Sequence, residues 1–193
     1  MGMLKIVIPR SEHYDENSNH FFFYPEEDTT LVLEHSLLSI SKWEEKWHIP
    51  FLNDNQLTSE QTLDYIRCMC VKPSPDQVSL KLLSNMSDEN VKDINNYIGD
   101  TMTATFFNEE KKKSKDKKIV TNELIYYWMT AYQIPFSCEK WHINRLLTLI
   151  KICNAENEAA QKNANKKNTM SKDSAAARRA LNQQRRAKLH SRG

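Results

Sequence analysis

The residues of this chain best suited to metal or nucleophilic chemistry are four cysteines and six histidines. Cys68, Cys70 and Cys138 can be drawn together with His142 as a ligand set, since Cys138 and His142 sit one helical turn apart. Cys-x-Cys is not the spacing of a structural zinc site, however, and no second knuckle follows it. Small buried thiols that fill a core are the plainer reading. The histidines stand at 13, 20, 35, 48, 142 and 190. No GxSxG, HExxH or Gly-rich phosphate loop accompanies them. His48 and His142 each follow a tryptophan near an expected helix end, which suits a cap or a hydrogen-bonded edge better than a general base. Glu44, Glu45 and Asp64 are expected on a solvated helical face. The residues therefore point to no catalytic centre, no metal and no cofactor.

The basic residues carry a sharper signal. Residues 1–153 hold 17 Lys and Arg against 22 Asp and Glu, a net of −5, whereas residues 154–193 hold 10 against 3, a net of +7. An acidic body with a basic tail is the result. Arg178-Arg179 returns seven residues later as Arg185-Arg186, so two turns of helix stack the pairs on one side. Such a face suits nucleic-acid phosphates, an acidic groove on another protein, or a neighbouring copy of this chain. Aromatic residues are absent after Trp141, so contact of the tail with nucleic acid would be by charge alone, without base stacking. The run Lys111–Lys118 reads as an exposed loop. Trp43, Trp47, Trp128 and Trp141 are expected as core anchors, and as partner-binding hot spots wherever one is exposed.

The elements that position these residues follow from periodicity. The chain has 193 residues, 39% of them hydrophobic, and only 3 glycines. That length allows one domain and a tail, and so few glycines argue against a turn-rich all-β fold. Leu4–Ile8, His20–Tyr24 and Thr29–Glu34 read as strands of one small antiparallel sheet, with Ser11–Asn19 a polar loop. Ser36 opens a helix with Leu37, Ile40, Trp43 and Trp47 on one face, ended by Pro50. Thr58 and Gln61 make a capping box for a helix reaching about Val71.

Asp76–Leu83 is a short helix candidate. Ser87 caps another, with Val91, Ile94 and Ile98 on one side and Gly99 as its left-handed stop. Thr101–Phe107 is β-prone and is a candidate either to pair with the sheet or to form an extended connector. Thr121 caps a helix, apolar around much of its surface and so expected to be central, on which Ile125, Trp128, Met129 and Tyr132 share a face. Ser137 caps the next, with Ile143, Leu146, Leu147, Ile150 and Cys153 as its inner stripe. The short link between these two predicts an antiparallel helical hairpin.

The fold class is thus mainly α with a small N-terminal antiparallel sheet, an α+β chain. Residues 1–35 form the sheet region, 36–154 the helical domain, 155–170 a flexible linker and 171–193 a basic amphipathic helix or tail. No segment approaches the roughly 18 apolar residues of a membrane span, and no signal peptide is evident, so reduced thiols in a cytosol-like compartment are expected. Met1-Gly2 lacks the Ser or Thr at position 6 that myristoylation needs. One internal echo stands out: Glu45-Lys46-Trp47-His48 recurs as Glu139-Lys140-Trp141-His142, and Ile49-Pro50-Phe51 as Ile134-Pro135-Phe136.

The words LEHSLLSISKWEEKWHIPFL, TLDYIRCMC, NELIYYWMTAYQIPFSCEKWHINRLLTLIKICN and AAARRALNQQRRAKL occur in that order. In that order the chain resembles tail assembly chaperone-like proteins of long-tailed bacteriophages, from about Thr30 to its C-terminus. The resemblance implies a small, helical, non-enzymatic protein of the host cytoplasm that binds the long tape-measure protein before the tail polymerises. A longer, frameshifted form is known in that class. The alternatives are a virion structural or connector protein and a nucleic-acid-associated packaging factor acting through the basic tail.

Overall fold

The computed structural model describes residues 2–53, 56–107, 119–168 and 172–188, without the side chains of 164–168 and 172–175. The chain is α+β and divides into two units, residues 1–150 and 151–193. The Lys111–Lys118 run lies outside the described residues.

In the first unit, β1 (Leu4–Ile8) pairs antiparallel with β4 (Thr29–Leu33), in a register that sets Leu4 opposite Leu33 and Ile8 opposite Thr29. Alternation sends Ile6, Ile8, Leu31 and Leu33 into the core. The other edge of β4 takes β5 (Cys70–Lys72), giving the order β1-β4-β5. The expected helix through Val71 therefore stops at Met69. Pro73 explains much of this, because it disfavours the α region at Lys72 before it.

Ser11–Asn19 is not a loop throughout. Ser11–Asp15 forms β2 and pairs with β3 (His20–Tyr24) as a separate two-stranded sheet, so His20–Tyr24 does not belong to the core sheet as expected. Thr101–Phe107 forms no strand.

The helices are α1 (Leu37–Trp47), α2 (Ser59–Met69), α3 (Leu80–Leu83), α4 (Asp88–Gly99), α5 (Asn122–Ala131), α6 (Ile143–Asn168) and α7 (Lys172–Lys188). Leu37, Ile40 and Trp43 of α1 are wholly buried. The Thr58–Gln61 box is present in both directions, at 3.2 and 2.9 Å. Ser87 and Thr121 cap α4 and α5 through Asn90 N and Leu124 N. On α4 the buried positions are Asn90, Ile94 and Tyr97, while Val91 is exposed. Gly99 is the last helical residue and has no positive φ; extended Asp100 ends the helix instead.

α5 packs on α1 but is not central. Only Ile125 and Met129 are buried on it, and Tyr127 is 66% exposed. The expected helix from Ser137 starts later. Phe136–Lys140 is a 3₁₀ turn, Trp141 is extended, and α6 begins at Ile143.

The repeated Ile-Pro-Phe word marks one local solution used twice. Each copy follows a residue in the left-handed region, His48 (φ 54°) after α1 and Gln133 (φ 55°) after α5. A left-handed residue turns the chain out of a helix, and proline cannot continue one. The Glu-Lys-Trp-His words are not equivalent: the first closes α1, and the second precedes α6.

In the second unit α6 stays helical through Asn168, over residues expected as a linker. Ala, Glu, Gln and Lys are good helix formers. Asn154 donates to Glu158 at 3.1 Å, and the Glu158–Lys162 pair, four residues apart, adds modest support at 3.9 Å. α7 presents its side chains from Ala176 to Lys188 to solvent.

Candidate functional site

The ionisable groups inside the first unit are structural clamps. Asp64 is fully buried, not on the solvated face expected for it. Its Oδ1 meets Lys46 Nζ at 2.8 Å and Arg67 Nη2 at 2.7 Å, and its Oδ2 accepts from Trp47 Nε1 at 2.8 Å. Burial raises its pKa, but Lys46, Trp47 and Arg67 outweigh that and hold the carboxyl below its ordinary value. Glu44, also buried, ties three segments together: Oε1 accepts Phe51 N at 2.7 Å, and Oε2 accepts Asn122 N and Nδ2 at 2.8 and 2.6 Å.

Between β4, α2, α4 and the start of α6 lies a polar seam. His35 Nδ1 and Tyr65 OH are 2.5 Å apart, and the His35 and His142 rings meet edge to face at 4.9 Å. Tyr97 OH accepts from His35 N at 3.3 Å and donates to Gly2 O at 2.9 Å. His142 Nε2 faces the Tyr97 carbonyl at 2.9 Å, and its Nδ1 accepts Asn144 N at 3.3 Å. A carbonyl only accepts, so the proton sits on Nε2 and the ring is neutral. Burial, with His142 alongside, pushes His35 down to about 3, and burial lowers His142. Burial pushes Cys68 up to about 11 and Cys70 to about 12, so both remain protonated and poor nucleophiles near neutrality.

A cavity of about 310 Å³ lies beside this seam, lined in part by Met3, Glu34, Ser36, Lys42 and Lys140. Cys68 and Cys70 also line it, with their thiols held protonated by burial. Among the described residues no three His, Cys, Asp or Glu side chains gather as a metal site, so Cys68, Cys70, Cys138 and His142 do not form the set drawn from their spacing. None of the helices among the described residues is long and apolar enough to cross a membrane.

The four tryptophans differ in burial. Trp43 is wholly buried and donates Nε1 to Gln61 O at 2.9 Å. Trp47, Trp128 and Trp141 are half-buried, and the Arg145 guanidinium lies over the Trp141 ring at 4.2 Å. Arg178, Arg179, Arg185 and Arg186 are all exposed on α7.

Other aromatics take the exposed positions. In the β2–β3 hairpin, Glu12 faces Phe23 and Tyr14 faces Phe21, which sets these four on one face. Tyr14 is 49% exposed, Phe21 68% and Phe23 44%. The Tyr14 and Phe21 rings touch at 4.9 Å, and Arg10 lies over Phe23 at 3.6 Å. The opposite face is anchored: Tyr24 OH meets Ser79 Oγ at 2.9 Å, and Lys81 lies over Tyr24 and Phe22 at 4.8 and 5.4 Å. A second exposed aromatic group belongs to α5 and the turn after it, where Tyr127 and Phe136 are 66% and 57% exposed. The run His20–Tyr24 carried the signal for the first group, but the polar partner strand hid the fact that one face stays in solvent.

No family model matches the chain, and no curated protein or solved structure matches it.

Proposed function

We propose that this chain is a phage tail assembly chaperone, acting in the host cytoplasm by stoichiometric, non-catalytic binding of the tape-measure protein. The observation that carries the binding role is the outward face of the hairpin, where Tyr14, Phe21 and Phe23 stand in water on strands anchored from behind. Exposed aromatic rings grouped on a folded surface are what a protein-binding site looks like before its partner arrives. The client is named by the resemblance in the LEHSLLSISKWEEKWHIPFL, TLDYIRCMC and NELIYYWMTAYQIPFSCEKWHINRLLTLIKICN words. A tape-measure protein is a long amphipathic helix whose apolar stripe needs cover until the tube closes around it, and aromatic faces supply that cover.

Co-expression with the tape-measure protein of the same genome tests the reading. A soluble complex, with this chain absent from finished particles, is the expected result. A fixed copy number in purified virions favours the structural or connector role instead. A second reading, nucleic-acid packaging through the arginine face of α7, requires DNA or RNA binding that weakens steeply with salt and disappears when residues 171–193 are removed.

A further inference from the structure

We propose that the outward face of the β2–β3 hairpin docks the arginine face of α7 from a second copy of this chain. The inference uses the same aromatic face as the proposed function but does not depend on the client.

Charge complementarity is the first argument. The hairpin and its flanks carry Glu12, Asp15, Glu16, Glu26, Glu27 and Asp28 against Arg10 on this face and Lys81 behind the opposite one. α7 carries Arg179, Arg185, Arg186 and Lys188 in solvent beside Arg178. Opposite fields of this kind steer and orient association.

The chain also displays the contact chemistry once already. The Arg10 guanidinium sits 3.6 Å from the Phe23 ring centroid, a cation–π contact on this very face. Beside it the Tyr14–Phe21 pair offers two more rings. Glu12 stands on the same face as Tyr14 and Phe21, and the two arginine pairs on α7 lie about 10 Å apart, so one pair can meet that carboxylate while the other reaches the neighbouring rings. Leu181, 48% exposed on the same helix, lies next to Arg178 on the wheel and adds an apolar contact.

Each copy holds one donor helix and one acceptor face, so the contact is head-to-tail and extends to a ring or a chain of copies. The aromatic face is thereby covered until a client displaces the helix.

Sedimentation velocity on the nuclease-treated full chain tests this. The wild type is expected to associate with a dissociation constant on the order of 10 µM, weakened about tenfold or more between roughly 0.05 and 0.5 M salt. Two variants, Tyr14→Ser/Phe21→Ser and Arg179→Gln/Arg185→Gln/Arg186→Gln, are each expected to be monomeric, with circular dichroism confirming that both remain folded. Mixed in equal amounts they restore association that stops at two copies, because each keeps one intact surface. A wild type that stays monomeric at low salt, association that survives in either variant, association lost on nuclease treatment, or a mixture that does not pair would each overturn the proposal. Client capture by the arginine variant, whose hairpin is intact, is scored separately: its loss counts against the chaperone reading and leaves the self-docking result standing.

Discussion

Phe51 and Phe136 close the same Ile-Pro-Phe word, each after a left-handed residue, His48 in one copy and Gln133 in the other, yet they meet opposite environments. Phe51 stacks on Tyr65 at 3.9 Å and meets Trp43 edge to face at 5.2 Å. Phe136 is 57% exposed and meets the Tyr126 ring at 6.1 Å. One local exit from a helix thus serves the core at α1 and the surface at α5. Phe51→Ala is expected to cost about 3 kcal/mol in urea unfolding, and Phe136→Ala to stay within about 0.5 kcal/mol. Equal losses would mean that Phe136 is a packing residue and not part of a surface awaiting a partner.

Asp64 is the acid that joins α1 to α2. Asp64→Asn removes the charge facing Lys46 and Arg67 and is expected to destabilise the chain by about 3 kcal/mol. Lys46→Met, which removes only the more exposed partner, is expected to cost less than half of that. Chemical denaturation of both variants checks the order.

The His35–His142 pair makes stability depend on pH. Both rings have folded-state pKa values below the ordinary imidazole value, so the unfolded chain binds the extra protons. Their contribution is complete above about pH 6.5 and is lost as the pH falls toward the His35 value of about 3. Each ring contributes a slope of at most about 1.4 kcal/mol per pH unit across the window it spans. Denaturation midpoints measured from pH 7.5 to 4.5 should fall, and His35→Asn should flatten the fall while lowering stability at pH 7.5. A wild-type curve flat over that range contradicts the buried, neutral pair.

Much of the architecture was legible because it is local. Thr58 with Gln61, Ser87 and Thr121 cap helices within four residues of themselves, and the caps lie where the words place them. The elements that escaped depend on distant partners. Ser11–Asp15 is polar because neither of its faces enters the core, so it lacked the alternating apolar signal of a strand. Cys70–Lys72 continues the pattern of α2 and becomes a strand where Pro73 stops the helix and the free edge of β4 lies beside it. Asp64 and Glu44 look like surface acids until Lys46, Trp47 and Asn122 are brought to them by the fold. The exposed aromatic face was obscured for the same reason: the tryptophans drew attention as anchors, while residues such as Tyr14, Phe21, Phe23, Tyr127 and Phe136 took exposed positions.

The hairpin substitutions separate binding from folding. Phe21→Ser and Phe23→Ser change residues on the exposed face of the hairpin, outside the core, so the thermal midpoint should move by no more than about 2 °C. A large drop would show that these rings hold the fold together.

The most direct test of the central claim is a binding titration of the purified chain with a purified amphipathic segment of the tape-measure protein. Heat release would be followed for the wild type and for Phe21→Ser/Phe23→Ser. A saturable complex of fixed stoichiometry is expected, weakened at least tenfold by the double substitution while the fold is unchanged. No heat of binding with any segment, or equal affinity with and without the two rings, would contradict it.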